Sequence, residues 1–139
     1  GSVAKVEGIA KRYPGLRIIL DHLALGVHAK GNLAFVELAD VCRLARFPNV
    51  AAKASALPCH TTQPYPFRDL HPHIRRVYDA FGPERMFWGT DWTRLPCTWR
   101  EAVTLFTEEL PWLSESDKEW IMGRGLCEWL QWKECGSAS

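Results

Sequence analysis

The decapeptide Glu84-Arg-Met-Phe-Trp-Gly-Thr-Asp-Trp-Thr93 carries the densest chemical signal in this chain of 139 residues. An apolar run, Met86 to Trp88, leads through Gly89 and Thr90 to a single carboxylate, Asp91. Parallel α/β folds gather their chemistry at the C-terminal ends of strands, so an aspartate there is placed to bind a cation or take a proton. A second run, Arg17-Ile-Ile-Leu-Asp-His-Leu23, ends an apolar stretch in His22, a group that donates or accepts near neutral pH. Each has a plainer reading. Asp91 would cap the turn leaving a strand, and His22 would be a core histidine bonded to backbone. Asp21, by strand alternation, points away from His22 and reads as structural.

Four more residues are candidates for touching a substrate. Lys53 lies on a stretch of small residues, and either faces inward to meet a carboxylate or snorkels outward. Arg94 can fork a carboxylate through two N–H groups, or make an ordinary surface ion pair. Trp92 flanks Asp91, although seven tryptophans in one chain are mostly core and interface material. Cys59 and His60 could form a nucleophile pair or ligate a metal, but adjacent side chains point apart. His60 is therefore either part of a pocket-lining loop or ordinary surface. His71-Pro-His73 reads as the start of a helix.

The elements that must position these groups follow from periodicity and punctuation. Residues Val3 to Arg12 form a short helix closed by Tyr13-Pro-Gly15. Ile18 to Leu20 make a strand buried on both faces. Asn32 caps a helix running to Phe47, with Leu38, Val41, Cys42 and Ala45 on one face. Pro48-Asn49 stops it, and Val50 to Ser55 is the next strand. A loop from Leu57 to Pro66 leads to a helix ending at Phe81-Gly-Pro83, and the third strand ends at Asp91. Thr98-Trp-Arg-Glu101 is a capping box; Pro111 ends that helix, and Ser116-Asp-Lys-Glu119 starts another. Gly123 and Gly125 interrupt it before Leu126 to Trp132, and residues 136–139 form a polar tail. Such alternation implies parallel strands with right-handed crossovers.

Composition narrows the function classes. A hydrophobic fraction of 47% and a charged fraction of 24% are those of a soluble globular domain. A formal net charge of +1 gives no electrostatic reason for nucleic acid or an anionic membrane as partner. No apolar run has transmembrane length, and no glycine-rich phosphate loop follows a strand. Five widely spaced cysteines make neither a disulfide framework nor a zinc ribbon, so a cytoplasmic location is expected. The length suits one domain and falls short of the roughly 200 to 250 residues of a complete eight-stranded α/β barrel. A fragment is expected from this and from the Gly1-Ser2 start.

The Gly89-Thr-Asp-Trp92 step resembles the last barrel strand of the amidohydrolase-related family of metal-dependent hydrolases and decarboxylases. There the sequence runs Gly-(Ser/Thr)-Asp-(Tyr/Trp). Arg17 to Leu23 is similar to an earlier strand that ends in the family's histidine. On this resemblance, residues 17–22, 49–55 and 85–91 correspond to the sixth, seventh and eighth strands. Leu110 to Gly123 is similar to the closing helical region, although Gly123-Arg-Gly-Leu126 stands where the family usually has Gly-x-Asn-Ala. The resemblance spans nearly the whole chain but only half of the family's domain, and the strands bearing the His-x-His metal pair have no counterpart.

The resemblance implies an α/β fold, a partial (β/α)8 barrel of about three parallel strands with outer helices, over residues 1–139. It implies part of a metal-dependent hydrolase acting on a small carboxylated or cyclic substrate. Asp91 would be metal ligand and general base, and His22 would orient or polarise the substrate carbonyl or activate water. Lys53, Arg94, Trp92 and His60 are the candidate substrate contacts. A divalent metal, zinc first, belongs to the complete domain; this chain alone is expected to bind it weakly and to turn over little. The alternatives are a decarboxylase, a metal-free lactonase of the type that opens 2-pyrone-4,6-dicarboxylate, and an inactive half-barrel. Three strands also leave two bare edges, so association with a second copy or with a missing N-terminal half is expected.

Overall fold

The computed structural model describes residues 2–132; the polar tail at 136–139 lies outside them. The chain runs α1 (Ser2–Arg12), β1 (Ile18–Leu20), α2 (Leu38–Arg43), β2 (Val50–Ser55), α3 (His71–Phe81), β3 (Met86–Gly89), α4 (Trp99–Thr107), α5 (Glu115–Glu119) and α6 (Gly125–Leu130). The strands form one parallel sheet in the order β1-β2-β3. Ile18 pairs with Val50, Ala52 with Met86, and Ser55 with Gly89. The parallel order is the one expected from the alternation of helices and strands, and the architecture is the partial α/β barrel that the resemblance implies.

Two layers sandwich the sheet. On the outer face Val50, Ala52, Ala54 and Met86 meet Leu38 and Val41 of α2, Ile74 and Val77 of α3, and Leu105 and Phe106 of α4 in a single core. On the second face, one residue out of phase, Ala51 and Phe87 are fully buried. Phe87 packs edge-on to Trp129 at 6.1 Å. A Cβ on Gly125 would lie 3.1 Å from its ring and 2.9 Å from the Trp120 carbonyl oxygen, so only glycine lets α6 come so close. The C-terminal helix therefore covers the lower part of that face. Among the described residues, no helix is long and apolar enough to cross a membrane.

Two expected helices are corrected. The stretch from Asn32 to Phe47 is not one α-helix: a 3₁₀ turn (Gly31–Phe35), α2 and a second 3₁₀ turn (Leu44–Arg46) follow one another, and Asn32 caps nothing. The buried residues explain it. Phe35, Leu38, Val41 and Leu44 recur every three residues, a spacing that 3₁₀ segments keep on one face and a 3.6-residue helix rotates away. The helix expected from Ser116 begins earlier, because Ser114 and Asp117 form the capping box. Tyr78 Oη donates to Asp117 at 3.1 Å, a tertiary bond that favours the earlier of the two overlapping Ser-x-x-acid signals. The box at Thr98 and Glu101 is as expected.

Candidate functional site

All three strands release their chains at the same edge, and each does so through a left-handed residue. These are His22 (φ 48°) beyond β1, Ala56 (φ 57°) beyond β2 and Asp91 (φ 53°) beyond β3. Two of them are the expected site residues. His22 Nε2 lies 3.4 Å from Asp91 Oδ2, and both side chains are 24% exposed, at the floor of an open rim. Sequence positions 69 apart are thus joined by the parallel order of the sheet.

Charged groups crowd around this pair. Arg94 Nη1 donates to Asp91 Oδ2 at 3.2 Å, while Nη2 reaches the Val27 carbonyl at 3.1 Å. One guanidinium therefore ties the loop after β3 to the loop after β1 while neutralising Asp91. Lys53 faces this rim and pairs with Asp21. Asp21 Oδ2 in turn lies 3.3 Å from His22 Nε2. Burial tends to raise the Asp21 carboxyl, but Lys53 and His22 outweigh it and hold the group below its ordinary value. The alternation that sent Asp21 to the far side fails because β1 ends at Leu20 and the backbone then turns left-handed.

Ser55 is the member that residue chemistry alone did not single out. Its Oγ lies 2.7 Å from His22 Nδ1. The available signal was spacing, since Ser55 follows Lys53 by two on one strand and so shares its face. Trp92 is 59% exposed beside Asp91 and packs on Trp99, which meets Trp88. These rings form an aromatic wall at the rim.

The other loop residues take structural places. His60 is buried, with Nδ1 donating to the Ala29 carbonyl at 2.8 Å and its ring edge-on to Phe35, and it is not brought into the charged cluster. Cys59 Sγ donates to the Arg94 carbonyl, and burial pushes its thiol up, so it is a protonated strut for the Arg94 loop. His71 and His73 open α3; His71 donates to the Pro66 carbonyl, and His73 stacks on Phe35.

A residue-family model described as amidohydrolase matches residues 2–124. The chain belongs to the amidohydrolase family. It is 42% identical over 86 residues to the L-fucono-1,5-lactonase of Burkholderia ambifaria, covering 60% of this chain and 28% of that protein. Its fold is that of a zinc-bound amidohydrolase from Burkholderia multivorans, with TM-score 0.76 and 24% identity over 91% of this chain and 48% of that one. A putative 2-pyrone-4,6-dicarboxylic acid hydrolase from Pseudomonas putida has the same fold, with TM-score 0.64 and 22% identity over 94% of this chain and 50% of that one. The chain thus spans about half the length of these solved structures and a smaller share of the curated relative.

Zinc is a natural expectation in such a family, but the donor set here does not fit it. Among the described residues, no group of three His, Cys, Asp or Glu side chains is arranged to hold a metal ion. The Asp91 oxygen that would ligate one instead faces the Arg94 guanidinium and His22 Nε2. A catalytic zinc site wants about three protein ligands. These residues by themselves do not supply it.

Proposed function

We propose that the Asp91 site serves the hydrolysis of a small cyclic ester, a lactone, with Asp91 as general base. The observation that carries this reading is the approach of His22 Nε2 to Asp91 Oδ2, 3.4 Å apart at the C-terminal edge of the parallel sheet. Likeness to an L-fucono-1,5-lactonase supports a sugar lactone as substrate.

In this reading a water beside Asp91 attacks the lactone carbonyl carbon, and its proton passes to the carboxylate. His22 Nε2–H hydrogen-bonds the carbonyl oxygen as negative charge develops there. The ring C–O bond then breaks, and the departing alkoxide takes the proton back from Asp91, giving a hydroxy acid. Arg94 holds the Asp91 carboxylate in place through its Nη1 hydrogen bond, and Lys53 and the Trp92 wall contact the substrate's oxygens and ring. No step depends on a metal.

The test is hydrolysis of L-fucono-1,5-lactone, followed by acid release, in the unaltered chain and in Asp91→Asn. Turnover by this chain alone is expected to be slow. The variant should lower kcat/KM by roughly 10²- to 10⁴-fold, as loss of a general base does. Equal rates in the two proteins would remove Asp91 as the base. Absence of turnover and of product binding in the unaltered chain would favour a non-catalytic half-barrel.

A further inference from the structure

We infer that Ser55 is a positioning residue that sets the orientation and tautomer of His22, and that Gly89 keeps open the space Ser55 needs. The inference rests on the reading of His22 and Asp91 as the site, and adds two residues that chemical type alone does not nominate.

Distances decide which contact holds the ring. Nε2 stands 3.3 Å from Asp21 and 3.4 Å from Asp91, both longer than a well-formed hydrogen bond. Nδ1 stands 2.7 Å from Ser55 Oγ, a full-strength bond, and among the described residues this hydroxyl has no other partner. The ring is therefore fixed from behind. The chemistry of the partners then sets the tautomer. Carboxylate oxygens only accept, so the nitrogen facing them carries the hydrogen; Nδ1 is left to accept from the Ser55 hydroxyl. This leaves an N–H pointing at the rim, as the polarising role requires.

Ser55, His22 and Asp91 have the composition of a nucleophilic triad, but the geometry excludes that use. Ser55 is completely buried, at 0% exposure, behind the ring it touches. No carbonyl carbon reaches its oxygen. The contact is to the histidine, and the serine acts through it.

Gly89 completes the device from the next strand. It is the register partner of Ser55. A Cβ at position 89 would sit 3.2 Å from Ser55 Cβ and 3.8 Å from Lys53 Cε. The first distance is tighter than nearly all Cβ contacts, so a larger residue makes Ser55 give way by a few tenths of an ångström. Glycine here spares Ser55 that displacement.

The experiment observes the His22 ring nitrogens of the ¹⁵N-labelled chain in mildly alkaline buffer, through their long-range couplings to ring protons. The unaltered chain should show one protonated-type signal at Nε2 and one bare-type signal at Nδ1. Ser55→Ala removes the donor; Gly89→Ala keeps the hydroxyl and displaces it. In both, the two nitrogen shifts should move toward each other as the tautomers mix, while the amide spectrum of α3 and α4 stays folded. If either variant leaves the His22 nitrogens unchanged in a folded chain, the inference fails. With L-fucono-1,5-lactone as probe, Ser55→Ala should lower kcat about tenfold or more and leave KM nearly unchanged, as a lost alignment does. If the unaltered chain neither turns over the lactone nor binds its product, the proposed function fails and the nitrogen shifts alone decide the positioning role.

Discussion

His22, Ala56 and Asp91 each hold a left-handed backbone without being glycine, and each stands just beyond the end of a strand. Such conformations cost about 1–3 kcal/mol apiece and persist where the surroundings over-determine them, which is common at working sites. Here Ser55 grips His22 and Arg94 grips Asp91. Arg85 plays a comparable holding role beneath the sheet. It donates to the carbonyls of Ala45, Phe47 and Val50, each at 2.9 Å, and lies over the Phe81 ring. Burial lowers its pKa, a sign that desolvation opposes the charge these carbonyls stabilise. Arg85→Met keeps the stem and removes three hydrogen bonds, although the Phe47 carbonyl still accepts the Val50 N–H at 3.1 Å, so urea denaturation should show a loss of about 2–4 kcal/mol. An unchanged midpoint would mean that water and the remaining backbone donors replace what Arg85 supplies. None of these backbone and carbonyl constraints is written in residue type: glycine would have announced a left-handed turn, and histidine and aspartate only permit one.

At the scale of elements, the capping boxes make a pH-dependent prediction. The Thr98 N–H and hydroxyl both bond Glu101 and hold its carboxyl below the ordinary 4.5. Burial raises Asp117, but the bonds from Ser114 and Tyr78 outweigh this and hold it below 3.8. A carboxyl depressed in the folded state gives stability that is fully present above its ordinary value and is lost as pH falls through the depressed one. Resistance to thermal unfolding should therefore fall as the pH drops below these values. Ser114→Ala should cost about 1 kcal/mol at neutral pH and flatten that acid limb. A limb unchanged by the substitution would assign acid sensitivity elsewhere. Where the local signal is strong and self-contained, as at Thr98, the sequence was legible. It misled where two signals overlapped, at Ser114 and Ser116, and where tertiary packing overrode periodicity, from Asn32 to Phe47. The strands and their rim residues were legible because apolar runs ending at Asp91 and near His22 have few other uses. Asp21 and Ser55 were missed because their roles depend on where β1 stops and on what its next neighbour places behind the ring.

For the whole molecule the open question is what meets the bare side of the sheet. Among the described residues β1 and β3 are both unpaired on their outer edges. The second face is sealed below, where α6 covers Phe87, but β1 carries Ile19 on that face only partly buried. An edge of three residues and another of four can form few ladder bonds, so pairing through them is weak and responds to concentration. A second copy supplies the same edges and the same half-buried Ile19, which makes it the partner expected in a pure preparation. Sedimentation equilibrium across a dilution series should show an average mass above one chain that falls on dilution. Ile19→Glu places a charge on the open face beside the β1 edge, a device that blocks edge pairing without touching the outer core. This variant should sediment as a monomer at every concentration while keeping the His22–Asp91 contact. A monomer for the unaltered chain at all concentrations would instead mean that α6 and the short edges suffice, and that no second copy is needed to hold the rim together.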